Sequence, residues 1–136
     1  FEGTVRLVSY LMDARHGDHR DLLVWQKAMR LAGEVHRATA TFPRSELFGL
    51  TSQLRRAAIS IPSNLAEGSA RRTTPDFLAF VHVARGSQAE LDTQLRLARD
   101  FGYLSEATFS DLQLHTEEIG RLLTAVIAGL RRRQSC

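Results

Sequence analysis

The chain has 136 residues, of which 43% are hydrophobic and 24% are charged, and its formal net charge is +3 at pH 7. These values are typical of one soluble globular domain. Its single cysteine, Cys136, excludes an internal disulfide and fits a reducing compartment, so we expect a cytoplasmic protein. No apolar run approaches the roughly 18 residues that a membrane-spanning helix needs, so we expect no membrane partner.

The basic residues are almost all arginine, since Lys27 is the only lysine among the 18 basic residues. Coding bias in a GC-rich genome accounts for this choice. Recognition of phosphate is the alternative, because the fork of guanidinium donors matches phosphate oxygens.

The chain divides into an N-terminal extension, residues 1–20, and one helical domain, residues 21–133. Within the extension, residues 4–13 have the pattern of a short amphipathic helix. In the domain, Asp21 is predicted to cap a first helix at about 22–41. Its apolar positions are predicted as Leu22, Trp25, Met29, Ala32 and Val35. The other face is predicted to be a solvated one with pairs of both signs, carried by Lys27, Arg30, Glu34 and Arg37.

A second helix at about 46–68 is predicted to begin at the cap Ser45 and to end at Gly68. Pro62 inside it predicts a kink near Ser60. A third helix at about 75–101 follows the start signal Thr74-Pro75-Asp76. A fourth, at about 106–132, is capped by Ser105. Short connections of about 4–7 residues between these helices predict an antiparallel up-down-up-down bundle.

The second helix carries two stripes of different character. Leu50, Leu54, Ala58, Ile61 and Leu65 recur at helical spacing and form an apolar stripe. Beside it runs a narrow stripe of small and polar residues, which is predicted to pack against another helix or subunit. A ligand or nucleic-acid site and catalytic machinery are the alternatives. With neighbouring positions of helices two and three, the packing set is Gln53, Arg56, Ser60, Asn64, Glu67, Gly86, Ser87 and Glu90.

Arginines cluster at several points of the domain. Solvated helix faces and a frayed tail explain them, and a phosphate-contacting surface is the alternative. Because the end of helix two and the end of helix four lie at one end of an up-down bundle, some of them are expected to share a rim. The candidate nucleic-acid contacts are Arg55, Arg71, Arg72, Arg121, Arg131, Arg132 and Arg133.

Metal and nucleophilic chemistry have little support. The Glu-x-x-His pairs of a di-iron bundle do not occur, and His16 and His19 fall in a predicted loop. No Gly-x-Ser-x-Gly, glycine-rich phosphate loop or His-Glu-x-x-His occurs. We therefore expect no catalytic residue, no metal, no cofactor and no enzymatic activity.

Several segments together have a family pattern: residues 21–29 (DLLVWQKAM), 50–58 (LTSQLRRAA), 60–68 (SIPSNLAEG) and 84–87 (ARGS). Over residues 21–131 the chain closely resembles the bacterial four-helix-bundle family encoded in intervening sequences of 23S rRNA genes. The resemblance implies a homopentameric barrel. The family is similar in turn to the accessory variability protein of diversity-generating retroelements, which implies contacts with nucleic acid and a polymerase. For most members no activity is established.

The sequence thus predicts an all-α, up-down-up-down four-helix bundle, and the resemblance adds a homopentamer. The leading function is a non-enzymatic assembly or interaction module whose partner is itself. The alternative is an accessory protein that binds the RNA or DNA backbone and acts with an RNA-processing or reverse-transcriptase partner.

Overall fold

A computed structural model describes residues 18–134, and the predicted helix at 4–13, His16 and Cys136 lie outside them. The described chain consists of four α-helices without strands: α1 (Leu23–Thr39), α2 (Leu50–Ser69), α3 (Thr74–Asp100) and α4 (Glu106–Gln134). Two short 3-10 turns, His19–Asp21 and Arg44–Glu46, precede α1 and α2. None of these helices is long and apolar enough to cross a membrane.

The helices form the predicted four-helix bundle. Each helix packs against the next along the chain, and α1 also packs against α4 to close the ring. Side chains across the α3–α4 boundary show the antiparallel direction, because Arg85 bonds to Thr124 while Gln88, further along α3, bonds to Thr116. The predicted apolar stripe of α2 is buried in the common core at Leu54, Ala58, Ile61 and Leu65.

Helix α1 confirms only part of its predicted apolar stripe. Leu22 and Val35 are fully buried, whereas Met29 is 48% exposed. A second apolar stripe beside the predicted one, Val24, Ala28 and Leu31, also faces the core. Trp25 lies at its border with its ring edge against His19, at a centroid distance of 5.3 Å.

Two predicted helix caps are wrong. Neither Asp21 nor Ser45 caps a helix, because each lies in a 3-10 turn, and Leu22 and Gly49 precede α1 and α2 without a side-chain cap. Asp76 N donates to Thr73 Oγ1 over 3.2 Å, so the cap of α3 lies one residue before the predicted one. At α4, Thr108 N donates to Ser105 Oγ over 3.1 Å, as predicted for Ser105.

Helix α2 runs through Pro62 without ending, and Gly68 is a packing residue within it instead of a stop signal. Gly68 is buried against α3. A Cβ atom at position 68 would lie 2.7 Å from Phe80 Cβ and 3.0 Å from Phe77 Cδ1. Gly68 therefore allows α2 and α3 to approach each other closely, near the end where the two helices are connected.

Candidate interaction surfaces

A hydrogen-bonded polar cluster joins α2 to α3 at the middle of both helices. Ser60 Oγ and Ser87 Oγ are 2.7 Å apart. Asn64 Nδ2 donates to Ser60 Oγ over 2.9 Å and to the Ser60 carbonyl over 2.8 Å. Three residues of the predicted packing set are thus brought together within one chain. Of these three bonds, the one between Ser60 and Ser87 crosses from α2 to α3, so it favours the observed register of the two helices.

The other members of the predicted packing set point away from this cluster. Gln53, Arg56 and Glu90 are exposed. Glu67 is exposed as well, and its carboxylate lies 3.3 Å from Arg71 Nη2 one turn further along the chain. These four side chains therefore contribute little to the packing of a single chain, and an exposed ion pair of this kind adds about 0.3–0.5 kcal/mol.

Exposed residues of α2 and α3 lie on both sides of the Ser60–Ser87 contact, and we call them together the outer α2–α3 face. Residues spaced three and four apart share a side of a helix, and the face consists of Arg56, Ile59, Ser63 and Glu67 on α2 with Val83, Gly86 and Glu90 on α3.

Two aliphatic side chains of this face are in water, since Ile59 is 55% and Val83 is 52% exposed. A Cβ atom at Gly86 would meet no atom within 4 Å beyond its chain neighbours and the backbone of its own helix turn. Contacts within the described residues therefore do not explain the glycine at position 86.

Two charged contacts connect α1 to α4. Lys27 Nζ lies 2.5 Å from Glu118 Oε1, and His115 Nδ1 lies 2.7 Å from Glu34 Oε2. They border a shallow groove that Arg30 also lines. The charged side of α1 is thus not the freely solvated face that its sequence predicts. No signal in the sequence could pair these residues, because their partners lie about 80 or more positions away along the chain.

Five of the predicted phosphate-contacting arginines lie at one end of the bundle, and we call them the arginine rim: Arg71, Arg72, Arg131, Arg132 and Arg133. The first two follow α2, and the others end α4. Arg131 Nη2 lies 3.5 Å from His82 Nε2. Since His82 is eight residues into α3, this contact lies about 12 Å along the helix from its start. The guanidinium of Arg71 also stacks over the ring of Phe80, 4.8 Å from its centroid.

The two remaining candidate arginines lie elsewhere. Arg55 is half-buried and turned toward the end of α1, where its Nε donates to Thr39 Oγ1 over 2.9 Å and its Nη2 donates to the His36 carbonyl over 3.3 Å. Its contacts are those of a residue that fastens α2 to α1. Arg121 is exposed near the middle of α4, beside a groove shared with α3.

The end of the bundle opposite the rim carries an aromatic cluster. Tyr103 packs between Phe42 and Phe101, with ring centroids 5.3 Å and 5.8 Å apart, and its hydroxyl donates to Glu46 Oε2 over 2.9 Å. Phe48, in the connection between α1 and α2, is 94% exposed. The predicted core stripes did not include this feature, because it is built by the two connections α1–α2 and α3–α4.

Residues 18–134 contain no group of three or more metal-ligating side chains placed to hold an ion. His19 packs against Trp25, and His115 forms a hydrogen bond with Glu34.

Comparison with known proteins places this fold. A crystal structure of a protein with unknown function from the S23 ribosomal protein family of Bacteroides thetaiotaomicron VPI-5482 superimposes with a TM-score of 0.70. The match covers 77% of this chain and 98% of that one at 20% sequence identity, which supports a shared fold alone. No curated protein matches the chain. The family model for 23S rRNA-intervening sequence proteins matches residues 20–125, which is most of the chain. The chain therefore belongs to the 23S rRNA-intervening sequence protein family.

Proposed function

We propose that the protein is a non-enzymatic module that assembles with copies of itself through the outer α2–α3 face. The observation that carries this proposal is the bare glycine at position 86 between exposed side chains. Glycine in the middle of a helix costs about 1 kcal/mol relative to alanine. Because a Cβ at Gly86 would meet no atom of another part of the described chain within 4 Å, the benefit that offsets this cost is assigned to contact with another chain.

The exposed aliphatic side chains support the same conclusion. Ile59 and Val83 each leave more than half of their surface in water within one chain. Burying one such side chain contributes up to about 1.5–3 kcal/mol. Around them, Arg56, Glu67 and Glu90 supply charges of both signs, which can set the orientation of a second copy.

A homopentamer is the assembly that we propose, from the family resemblance. Its mass would be five times 15.2 kDa, or about 76 kDa. The test is analytical ultracentrifugation of Val83→Glu, which places a charge on the outer α2–α3 face. Leu114→Glu is the matched control, because Leu114 is 62% exposed on α4 and receives the same change. We expect the first variant to sediment as smaller species and the second to keep the mass of the unmodified protein. Equal masses for all three proteins would refute self-assembly through the outer α2–α3 face.

A second function, binding of an RNA or DNA backbone, is favoured by the arginine rim. Repetition of the rim in an oligomer would multiply weak phosphate contacts into a stronger one. For such binding, the logarithm of the association constant falls linearly with the logarithm of the salt concentration. The slope is about −0.7 for each phosphate contacted on a single strand. In this role the protein would act together with an RNA-processing or reverse-transcriptase protein on the bound polynucleotide.

The rim is tested with two variants of equal charge. One changes Arg71, Arg72 and Arg132 to glutamine. The control changes three exposed arginines outside the rim, which are Arg30, Arg37 and Arg44. If the rim binds phosphate, the first variant weakens RNA binding and flattens the salt dependence much more than the second. Equal losses would mean that net charge alone attracts RNA, and this would refute the rim as a site.

A further inference from the structure

An open groove of about 370 Å³ separates α3 from α4 near their middle, away from both the outer α2–α3 face and the arginine rim. Its lining combines residues of both helices, and all but the glycine have polar or charged side chains: Arg85, Gln88, Glu117, Gly120, Arg121 and Thr124. Of these, only Arg121 belongs to the arginines that the sequence singled out.

Arg85 is held in place by a buried side chain. Gln88 is 6% exposed, and its Nε2 donates to the Thr116 carbonyl over 3.0 Å. Its Oε1 then accepts from Arg85 Nη1 over 2.5 Å. Gly120 makes this arrangement possible, since a Cβ atom there would lie 2.7 Å from Gln88 Nε2. The groove is therefore a built feature of the helix interface.

Thr124 holds the other edge of the same guanidinium. Its hydroxyl donates to the Gly120 carbonyl over 2.9 Å and accepts from Arg85 Nε over 3.3 Å. A guanidinium has five N–H groups, so about three of them stay available after these two bonds. Arg85 is thus held in one orientation and keeps unused N–H donors. Binding an acceptor there costs little side-chain entropy, because the guanidinium is already ordered.

Arg121 supplies a second positive charge on the same groove. It forms no hydrogen bond or ion pair with another residue of 18–134, and neither arginine of the groove has a carboxylate within 4 Å there. Glu117 is the one acidic residue of the lining, so the groove has a net charge of about +1. An anion in the groove would be attracted by both of these positive charges.

We propose that this groove binds a phosphate group between Arg85 and Arg121. The planar forks of two arginines match the oxygens of a tetrahedral phosphate and form charge-assisted hydrogen bonds with it. The phosphate has two sources with the same chemistry, a free phosphate or phosphomonoester and the backbone of a polynucleotide. A polynucleotide would continue from Arg121 toward Arg131, ten residues or about 15 Å along α4, and so reach the arginine rim.

The experiment uses the full chain at low salt with two probes. Inorganic phosphate is titrated by calorimetry, and a labelled 12-nucleotide single-stranded RNA is titrated by fluorescence anisotropy. Arg121→Gln is the main variant, because Arg121 has no contacts whose loss would disturb the described fold. We expect it to weaken phosphate binding about tenfold, which corresponds to about 1.4 kcal/mol. Glu117→Gln removes the opposing charge and is expected to strengthen binding about threefold. Arg30→Gln on α1 is the control and is expected to change nothing.

The two probes separate the sources of the phosphate. Binding of both probes, with both weakened by Arg121→Gln and RNA alone weakened by the rim variant, supports a polynucleotide. If the protein binds inorganic phosphate but not RNA, a free phosphoryl ligand is supported. In that case the proposal that the rim binds RNA is refuted and the groove site is not. No phosphate binding by the unmodified protein, or equal binding by the Arg121→Gln and Arg30→Gln variants, overturns the proposed site.

Discussion

Gly68→Ala is the substitution whose effect on the fold is most sharply defined. The new methyl carbon would lie 2.7 Å from Phe80 Cβ and 3.0 Å from Phe77 Cδ1. The first of these atoms is attached directly to the backbone of α3 and cannot turn away as the end of a long side chain could. Relief of the clash therefore requires α2 and α3 to separate, and this loosens the packing of the buried residues on both helices.

The free energy of unfolding is expected to fall by about 1–2 kcal/mol. Overfilling a packed core costs about 1–3 kcal/mol. Against this, alanine improves helix propensity by at most about 1 kcal/mol, and by less here because Gly68 is next to the last residue of α2. The corresponding fall in melting temperature for a chain of this length is about 3–6 °C.

Urea unfolding followed by circular dichroism measures this change, at one fixed protein concentration because an oligomer's stability depends on concentration. Gly33→Ala is the matched control. Its new Cβ meets only the movable guanidinium of Arg37, at 3.4 Å, so its stability is expected to rise by about 0.5–1 kcal/mol. A Gly68→Ala protein as stable as the unmodified one would refute the close packing of α2 on α3.

Three further changes test individual contacts. Ser60→Ala is expected to destabilise the fold more than Ser87→Ala, because Ser60 bonds to two side chains, and a double-mutant cycle should give a coupling of about 1 kcal/mol. Arg55→Met should cost about 1 kcal/mol in urea unfolding and leave RNA affinity unchanged, since its guanidinium bonds to α1. The hydrogen bond from Tyr103 to Glu46 raises the pKa of Tyr103 above its ordinary value of 10.0, so its stabilisation is present below that pH and is lost as the pH rises through the raised pKa. The stability difference between the unmodified protein and Tyr103→Phe should therefore begin to close above about pH 10 and be gone once the pH has passed the raised pKa, and a difference that does not change as the pH rises would contradict this assignment.

The sequence predicted what depends on local periodicity. In α2 one apolar stripe stands out, and residues such as Leu54 and Ile61 are buried where the pattern places them. In α1, two stripes compete, and only the packing of the whole bundle decides that Val24 faces the core and Met29 does not. Caps were misplaced at α1 and α2 because a 3-10 turn stands before each helix and moves its start along the chain.

The surfaces were less predictable, because they are made by residues far apart in the sequence. Nothing local shows that Glu34 meets His115 or that Arg85 meets Thr124. A signal was present at Gly120, since a glycine in the middle of a long amphipathic helix indicates close approach of another group. The group is the side chain of Gln88, and only the structure identifies it.

Native mass spectrometry of the unmodified protein and of the Gly86→Trp variant tests self-assembly through the outer α2–α3 face most directly. A side chain at position 86 begins in open space within one chain, because a Cβ there meets no atom of another part of the described chain within 4 Å. We expect about 76 kDa, five times 15.2 kDa, for the unmodified protein and smaller species for the variant. A mass near that of one chain for the unmodified protein, or an assembly that the tryptophan does not disturb, would contradict the account.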